Sequence, residues 1–288
     1  MTQQPNVLLI MTDQQRADHL GCMGNTILRT PYIDRIANEG VRFSRFHVVN
    51  PICQPNRASI MTGRYPSSHG VRSNGIPLPL TARTYVHVLR DAGYRTAMVG
   101  KSHLQNITGM PPAIDPPGAG PFEYEAGQLR EADERRLFGD EYESENTKEW
   151  RANPNREFPT PFYGFDHVDL CTMHADLVSG HYEGWLKDRH QDPDSLRGPA
   201  NALDKGNIST PRAWRTSMPE ELYPTTYVAE RACAQIDQMV GGEQPFFLKC
   251  SFPDPHAPFT PPGKYWSMYE PDDMPVSPSF GKGNSPVL

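Results

Sequence analysis

Residues 6–11, NVLLIM, contain a short continuous apolar run that halts at Thr12 and Asp13. Unbroken apolar character over that length predicts a strand buried on both faces, whose carboxyl end delivers a carboxylate. Thr30 and Pro31 open the next patterned stretch, in which Ile33, Ile36 and Ala37 recur at helical spacing until Gly40; a helix is predicted there. Residues 41–49 (VRFSRFHVV) alternate in part and predict a strand that completes a β-α-β unit. Residues 84–91 predict a helix stopped by Gly93, and residues 95–99 (RTAMV) a strand ending at Gly100 and Lys101. Ala229, Ala232, Ile236 and Met239 give helical spacing to residues 225–240, Gly241 and Gly242 end it, and residues 245–250 (PFFLKC) predict a further strand. Helices alternating with buried strands predict an α/β fold, with a largely parallel central sheet flanked by helices.

Between these units, residues 105–220 are rich in proline, glycine and charge with few apolar runs. The pattern predicts a long irregular insertion over the active face, within a single domain spanning 1–288. Residues 271–288 are again Pro-, Gly- and Ser-rich and predict a loop. A chain of 288 residues with 37% hydrophobic residues can bury a sizeable core. Its net charge of -6 offers no basic stripe for a phosphate backbone, which disfavours nucleic acid as a partner. The start, MTQQPNVLLIMTDQQ, has neither a basic leader nor an apolar run long enough to span a membrane, so a cytoplasmic location is expected. Cys22, Cys53, Cys171, Cys233 and Cys250 are odd in number and include no C-x-x-C pair, against a disulfide framework or a thiolate zinc site. Each is by default a small buried hydrophobe.

Candidate chemistry gathers at the carboxyl ends of the predicted strands, where ligands bind in open α/β sheets. NVLLIM leads into Asp13, RTAMVG into Lys101 and His103, and PFFLKCSFPDP into His256. Taken singly, each residue has a bland reading: a turn former, a surface lysine, a loop histidine. An acid, a cation and two imidazoles on one face would instead make a metal-assisted anion site. The segment NPICQPNRASIMTGR adds a further element. Pro55 suits a first helical turn and Gly63 an exit, so Cys53 is placed just before a helix N-terminus, where free N–H groups favour an anion. Arg57 follows four residues later. A cysteine phosphatase loop needs five residues between cysteine and arginine, and Ser59 stands where that arginine would be.

The segment C-x-P-x-R followed by A-S-x-M-T-G-R, from Cys53 to Arg64, resembles the motif of the type I sulfatases of the alkaline phosphatase superfamily. NVLLIMTDQ, G-K-x-H-L at residues 100–104 and P-H-x-P-F at residues 255–259 accompany it in family order. The resemblance implies oxidation of Cys53 to formylglycine by a formylglycine-generating enzyme. The hydrated aldehyde then attacks the sulfur of a sulfate monoester, and collapse of the sulfated form restores the aldehyde. In family terms Asp13 and the modified Cys53 ligate a divalent cation, usually calcium, with manganese or magnesium as alternatives. Arg57 holds the nucleophile and offsets sulfate charge. Lys101 binds substrate oxygen, His103 assists the nucleophile, His256 contacts sulfate or the leaving oxygen, and Asn74 is a weaker substrate contact. Arg64 is assigned a structural pairing, and His174 and His181 could line the pocket from the insertion. Trp185 and Tyr182 are as readily packing residues as an aromatic wall.

Two departures stand out. Thr12 occupies a position where many members have a second acid. The family's remaining metal ligands come from a later strand and loop, and Asp166-His167 is assigned to structure because YGFDHV matches a different family segment. The chain therefore reads as the N-terminal portion of the family's domain, without its C-terminal subdomain. A phosphonate monoester or phosphodiester hydrolase is the alternative within the superfamily, and Lys101 with His103 favours the sulfatase. A noncatalytic anion-binding fragment is the alternative of another class.

Overall fold

The computed structural model describes residues 4–112, 139–203 and 210–276. Its centre is a five-stranded sheet of β1 (Val7–Met11), β2 (Arg95–Lys101), β3 (His167–Thr172), β4 (Ser179–Gly180) and β5 (Phe246–Ser251), in the order β1-β5-β2-β3-β4. The first four strands in that order run parallel, and β4 pairs antiparallel with β3. The helices are α1 (Pro31–Glu39), α2 (Cys53–Thr62), α3 (Pro66–His69), α4 (Tyr85–Asp91), α5 (Thr147–Ala152), α6 (His181–Lys187) and α7 (Pro224–Val240). Among the described residues no helix is long and apolar enough to cross a membrane.

Side chains alternate across β2 and β5, so each strand feeds two cores. Ala97, Val99, Phe246, Leu248 and Cys250 pack with Tyr182, Leu186, Tyr227 and Val228 of α6 and α7. Met98 and Phe247 face the other way, onto Ala58 and Met61 of α2, Val86 of α4 and Trp150 of α5. Each large apolar side chain buried this way contributes roughly 1.5–3 kcal/mol. Both faces covered is the condition under which a parallel sheet reads as unbroken apolar runs.

The patterned helices and strands form within a residue or two of their predicted bounds, and four expectations change. Strand β1, expected to be buried on both faces, lies at the edge of the sheet with Val7, Leu8 and Ile10 exposed. Residues 41–49 are not a strand: Val41, Phe43, Phe46, Val48 and Val49 are exposed, and β1 pairs with β5 instead. Local alternation cannot make a strand without a neighbouring ladder to hold its backbone groups. Helix α1 buries none of its side chains, and its Asp34 is spent on the turn at residues 21–23, accepting the Cys22 N–H at 2.7 Å. The stretch 105–220, expected to be irregular, supplies β3, β4, α5 and α6 and the core residues Trp150, Phe165, Leu170 and Tyr182. Asp169 interrupts the apolar run of β3 and hid that strand; in the fold Arg231 of α7 donates to its carboxylate from Nε at 3.1 Å, and His167 lies 3.0 Å from it. Residues 113–138 and 204–209 of that stretch, and residues 277–288 of the terminal loop, lie outside the described residues.

Candidate active site

The parallel strands deliver their carboxyl ends to one side of the sheet, and the chain turns sharply there. Gln14, His103, Met173 and Ala175 all have positive φ, at 55°, 58°, 61° and 54°. Each follows one of the parallel strands β1, β2 and β3. Such conformations cost about 1–3 kcal/mol apiece and persist where the surrounding structure over-determines them. Gly100 makes the closest approach: at φ 99°, a Cβ on it would lie 2.0 Å from the Ser251 carbonyl oxygen.

Helix α2 begins at this face. Ile52 is its N-cap, Cys53 its first residue, and Gly63 closes it in the left-handed region with its N–H on Ser59 O at 2.8 Å. Its free N-terminal groups are braced by a neighbouring loop, since Asn74 Oδ1 accepts the Gln54 N–H at 3.0 Å. Gln54 Nε2 donates to Ile76 O at 2.7 Å, and its Oε1 accepts the Gly75 N–H at 2.7 Å. Asn74, expected as a weaker substrate contact, lies here against the first turn of α2.

Arg57, one turn into α2 and almost wholly buried, ties three strand ends to Cys53. Its Nε donates to Cys53 Sγ at 3.3 Å, one terminal nitrogen to Lys101 O at 2.8 Å and Ser251 Oγ at 2.9 Å, and the other lies 3.4 Å from Asp13 Oδ2. Lys101, fully buried, donates to Asp13 Oδ2 at 2.5 Å and meets His174 Nε2 in a short contact. His103 Nδ1 is 3.1 Å from Cys53 Sγ, and Asp13 Oδ2 is 3.6 Å from it. Asp13, Cys53, Arg57, Lys101 and His103 therefore form one cluster. His256 joins it through an intermediary: its ring stacks on His174 at 3.5 Å between centroids, and His174 Nε2 is 3.5 Å from Asp13 Oδ2.

Charge is concentrated here with little water to screen it. Burial alone would raise the Asp13 carboxyl, and the His174 hydrogen bond with the Lys101 and Arg57 cations overrides it, holding the group well below the usual carboxylate range. Burial likewise raises the Cys53 thiol, and Arg57 and Lys101 outweigh it, lowering it to about 7. Burial pushes His103 well below its ordinary value, and the same two cations add to the effect, so the imidazole is neutral. A sulfur of lowered pKa, a neutral imidazole and two buried cationic side chains around one point suit an incoming anion whose charge must be spread during reaction.

Two supporting residues, Glu145 and Lys249, escaped the sequence pattern, and a third, His174, was expected from the insertion as a lining of the pocket. His174 follows β3, and its place at a strand end became visible only with that strand. Glu145, fully buried, accepts the N–H groups of Leu104 at 3.1 Å and Gln105 at 3.3 Å, and so holds the loop that aims His103. Lys249 lies in the middle of β5 on the α2 side, its Nζ 3.9 Å from Met61 Sδ. A lysine within PFFLKC carries no local signal of burial. His181 is placed elsewhere, packed on Trp150 and accepting the Leu170 N–H at 2.8 Å. Tyr182 and Trp185 stack on each other and meet Tyr227 edge-on inside the α6–α7 core. His167 lies at the amino end of β3, away from the cluster, and Asp166 pairs with Arg90 at 2.9 Å.

Comparison with known proteins points the same way. The sulfatase family model matches residues 5–277. The arylsulfatase of Clostridium perfringens is 28% identical over 280 residues, covering 94% of this chain and 47% of that protein. The N-acetylglucosamine-6-O-sulfatase of Bacteroides thetaiotaomicron is 40% identical over 103 residues, covering 36% of this chain and 18% of that protein. Among solved structures, the phosphonate monoester hydrolase of Agrobacterium radiobacter superposes with a TM-score of 0.63 at 26% identity, over 95% of this chain and 45% of that one. The chain spans less than half the length of each of these relatives. With a family match over nearly all of its residues, the chain belongs to the sulfatase family.

Proposed function

We propose that this polypeptide carries the nucleophile-bearing part of a sulfate monoester hydrolase, with Cys53 as the precursor of formylglycine. The observation that supports this most directly is the convergence of Arg57 and His103 on Cys53 at the start of α2, with Lys101 bound to the adjacent Asp13. Cys53 Sγ stands in for the oxygen that the modified residue would present. Formylglycine would supply an oxygen nucleophile for sulfur. Arg57 holds that atom's position and, with Lys101, balances the charge of the sulfate oxygens. Neutral His103, within hydrogen-bond reach of the nucleophile, takes or returns its proton. His256, stacked on His174, would contact the sulfate or the leaving oxygen.

Sulfatases generally use a divalent metal as well. This chain's contribution would be Asp13 and the oxygen at position 53. Calcium takes six to eight oxygen ligands. Among the described residues no group of three or more His, Cys, Asp or Glu side chains could hold an ion, and Asp13 is already engaged by Lys101 and Arg57. The residues present do not by themselves make a metal site.

The test begins with maturation. After co-expression with a formylglycine-generating enzyme, trypsin releases residues 46–57 as one peptide, and its mass is expected to show aldehyde in place of thiol. The matured protein is then assayed on 4-nitrophenyl sulfate and on a phenyl phosphonate monoester. Sulfate turnover that vanishes in Cys53→Ala supports the reading. Unmodified thiol, or faster phosphonate turnover, overturns it in favour of an anion-binding fragment or a phosphonate hydrolase.

A further inference from the structure

Beside His256 the surface opens into a cleft of about 540 Å³ between the start of α7 and residues 255–265. That volume falls within the range of about 300–1,000 Å³ that organic ligands fill. Its walls are Tyr223, Pro258, Phe259, Pro261, Pro262 and Tyr265. Phe259 and Tyr265 stay 54% and 46% exposed, an unusual state for two large rings flanking one cleft.

Most side-chain polar groups of the lining are paired with one another. Thr225 Oγ1 donates to Asp254 Oδ2 at 2.7 Å and Thr226 Oγ1 to Glu220 O at 2.6 Å. Tyr223 OH and Thr260 Oγ1 pair at 3.0 Å, and the Glu220 carboxylate holds Lys264 through its N–H at 3.3 Å and its Nζ at 3.2 Å. Apart from the His256 imidazole and the Tyr265 hydroxyl, what the cleft presents to a ligand is mainly proline and aromatic ring. A sugar would surrender the hydration of several hydroxyls there and find few free partners, and each hydroxyl left unsatisfied costs about 1–3 kcal/mol. A planar aromatic group loses nothing comparable and gains ring contact.

We propose that this cleft is the subsite for the leaving group, and that it selects sulfate esters of aromatic or fused-ring alcohols over sulfated sugars. The inference rests on the sulfate-ester reading above, because His256 both borders the cleft and stacks on His174 at the edge of the charged cluster. Phe259 and Tyr265 are the residues that set the preference.

Binding separates this inference from the reading beneath it. The full chain is titrated calorimetrically with 2-naphthyl sulfate, 2-naphthol, glucose 6-sulfate and inorganic sulfate. The naphthyl ester is expected to bind at least about tenfold more tightly than the sugar ester, in line with what a few well-packed ring carbons discriminate. Phe259→Ala and Tyr265→Ala, both at half-exposed side chains, are each expected to weaken naphthyl sulfate and naphthol about tenfold while inorganic sulfate binds as before. Circular dichroism checks that both variants are folded. Equal or tighter binding of glucose 6-sulfate, or naphthyl sulfate affinity unchanged in both variants, overturns the subsite. Naphthol binding that depends on Phe259, with no gain from the sulfate group in any probe, supports the aromatic cleft and overturns the anion site.

Discussion

Lys249 shows how much a single residue can alter the balance around the site. It is buried in β5 between Met61 and the Arg57 guanidinium, and burial, with the Arg57 charge adding to it, pulls its pKa down to about 7 from an ordinary 10.5. Between those two values the unfolded chain binds a proton that the folded chain does not, so this residue makes stability rise with pH across the window. Below about pH 7 the ammonium is charged in both states and its burial penalty is fully present. Lys249→Met keeps an unbranched side chain, one atom shorter, and removes the charge. It is expected to stabilise the protein by on the order of 2 kcal/mol at pH 6, with the gain shrinking toward pH 10. Urea denaturation across that range measures it, and a gain that does not vary with pH would assign the effect to packing alone. Asp13 moves stability with pH in the same direction but as a stabilising group: its carboxyl is held down by His174, Lys101 and Arg57 against the effect of burial, so its contribution is present above the ordinary carboxylate pKa and is lost in acid. The identities of Asp13, Cys53, Arg57, Lys101 and His103 were legible in short motifs. The roles of Glu145 and Lys249 were not, because each acts through a neighbour distant in sequence.

At the scale of elements, the site depends on how closely β2 and β5 approach as they end. Gly100 allows that approach, with its positive φ and no room for a Cβ against Ser251 O. Gly100→Ala is expected to cost on the order of 3 kcal/mol or more, read as a drop in urea midpoint, because backbone rather than a flexible side chain must give way. A loss under about 1 kcal/mol would mean that the two strand ends can separate without consequence. Helices α2, α4 and α7 and strands β1, β2 and β5 announced themselves through periodicity and through Pro and Gly at their ends. Strand β3 did not, since the partner that makes Asp169 tolerable, Arg231, lies 62 residues away. Residues 41–49 erred in the opposite direction: their alternation is real and the structure gives them no ladder.

For the whole molecule, the two covered faces of the sheet contrast with its β1 side. Val7, Leu8 and Ile10 of the edge strand are exposed, as are Ile33 and Ile36 of α1, and Phe43 and Phe46, whose rings meet edge to face with centroids 6.4 Å apart. Exposed apolar area of that kind drives association. The double substitution Phe43→Ser with Phe46→Ser is expected to lower concentration-dependent light scattering while leaving the thermal midpoint within about 2 °C, as surface changes usually do; undiminished scattering would place the sticky surface elsewhere. The sequence by itself determined the alternation of helix and strand, the parallel sheet, and the residues able to bear a sulfatase's chemistry. These are local properties: the period of apolar positions, the residues that start and stop elements, and the spacing within one motif. Only the tertiary structure decided that Asp13, Arg57 and Lys101 share one buried charge network, that His174 links it to His256, and that a cleft of rings and prolines lies beyond. Those depend on which strand ends meet, and sheet pairing and the pairing of buried charges are settled by contacts between residues far apart in the chain.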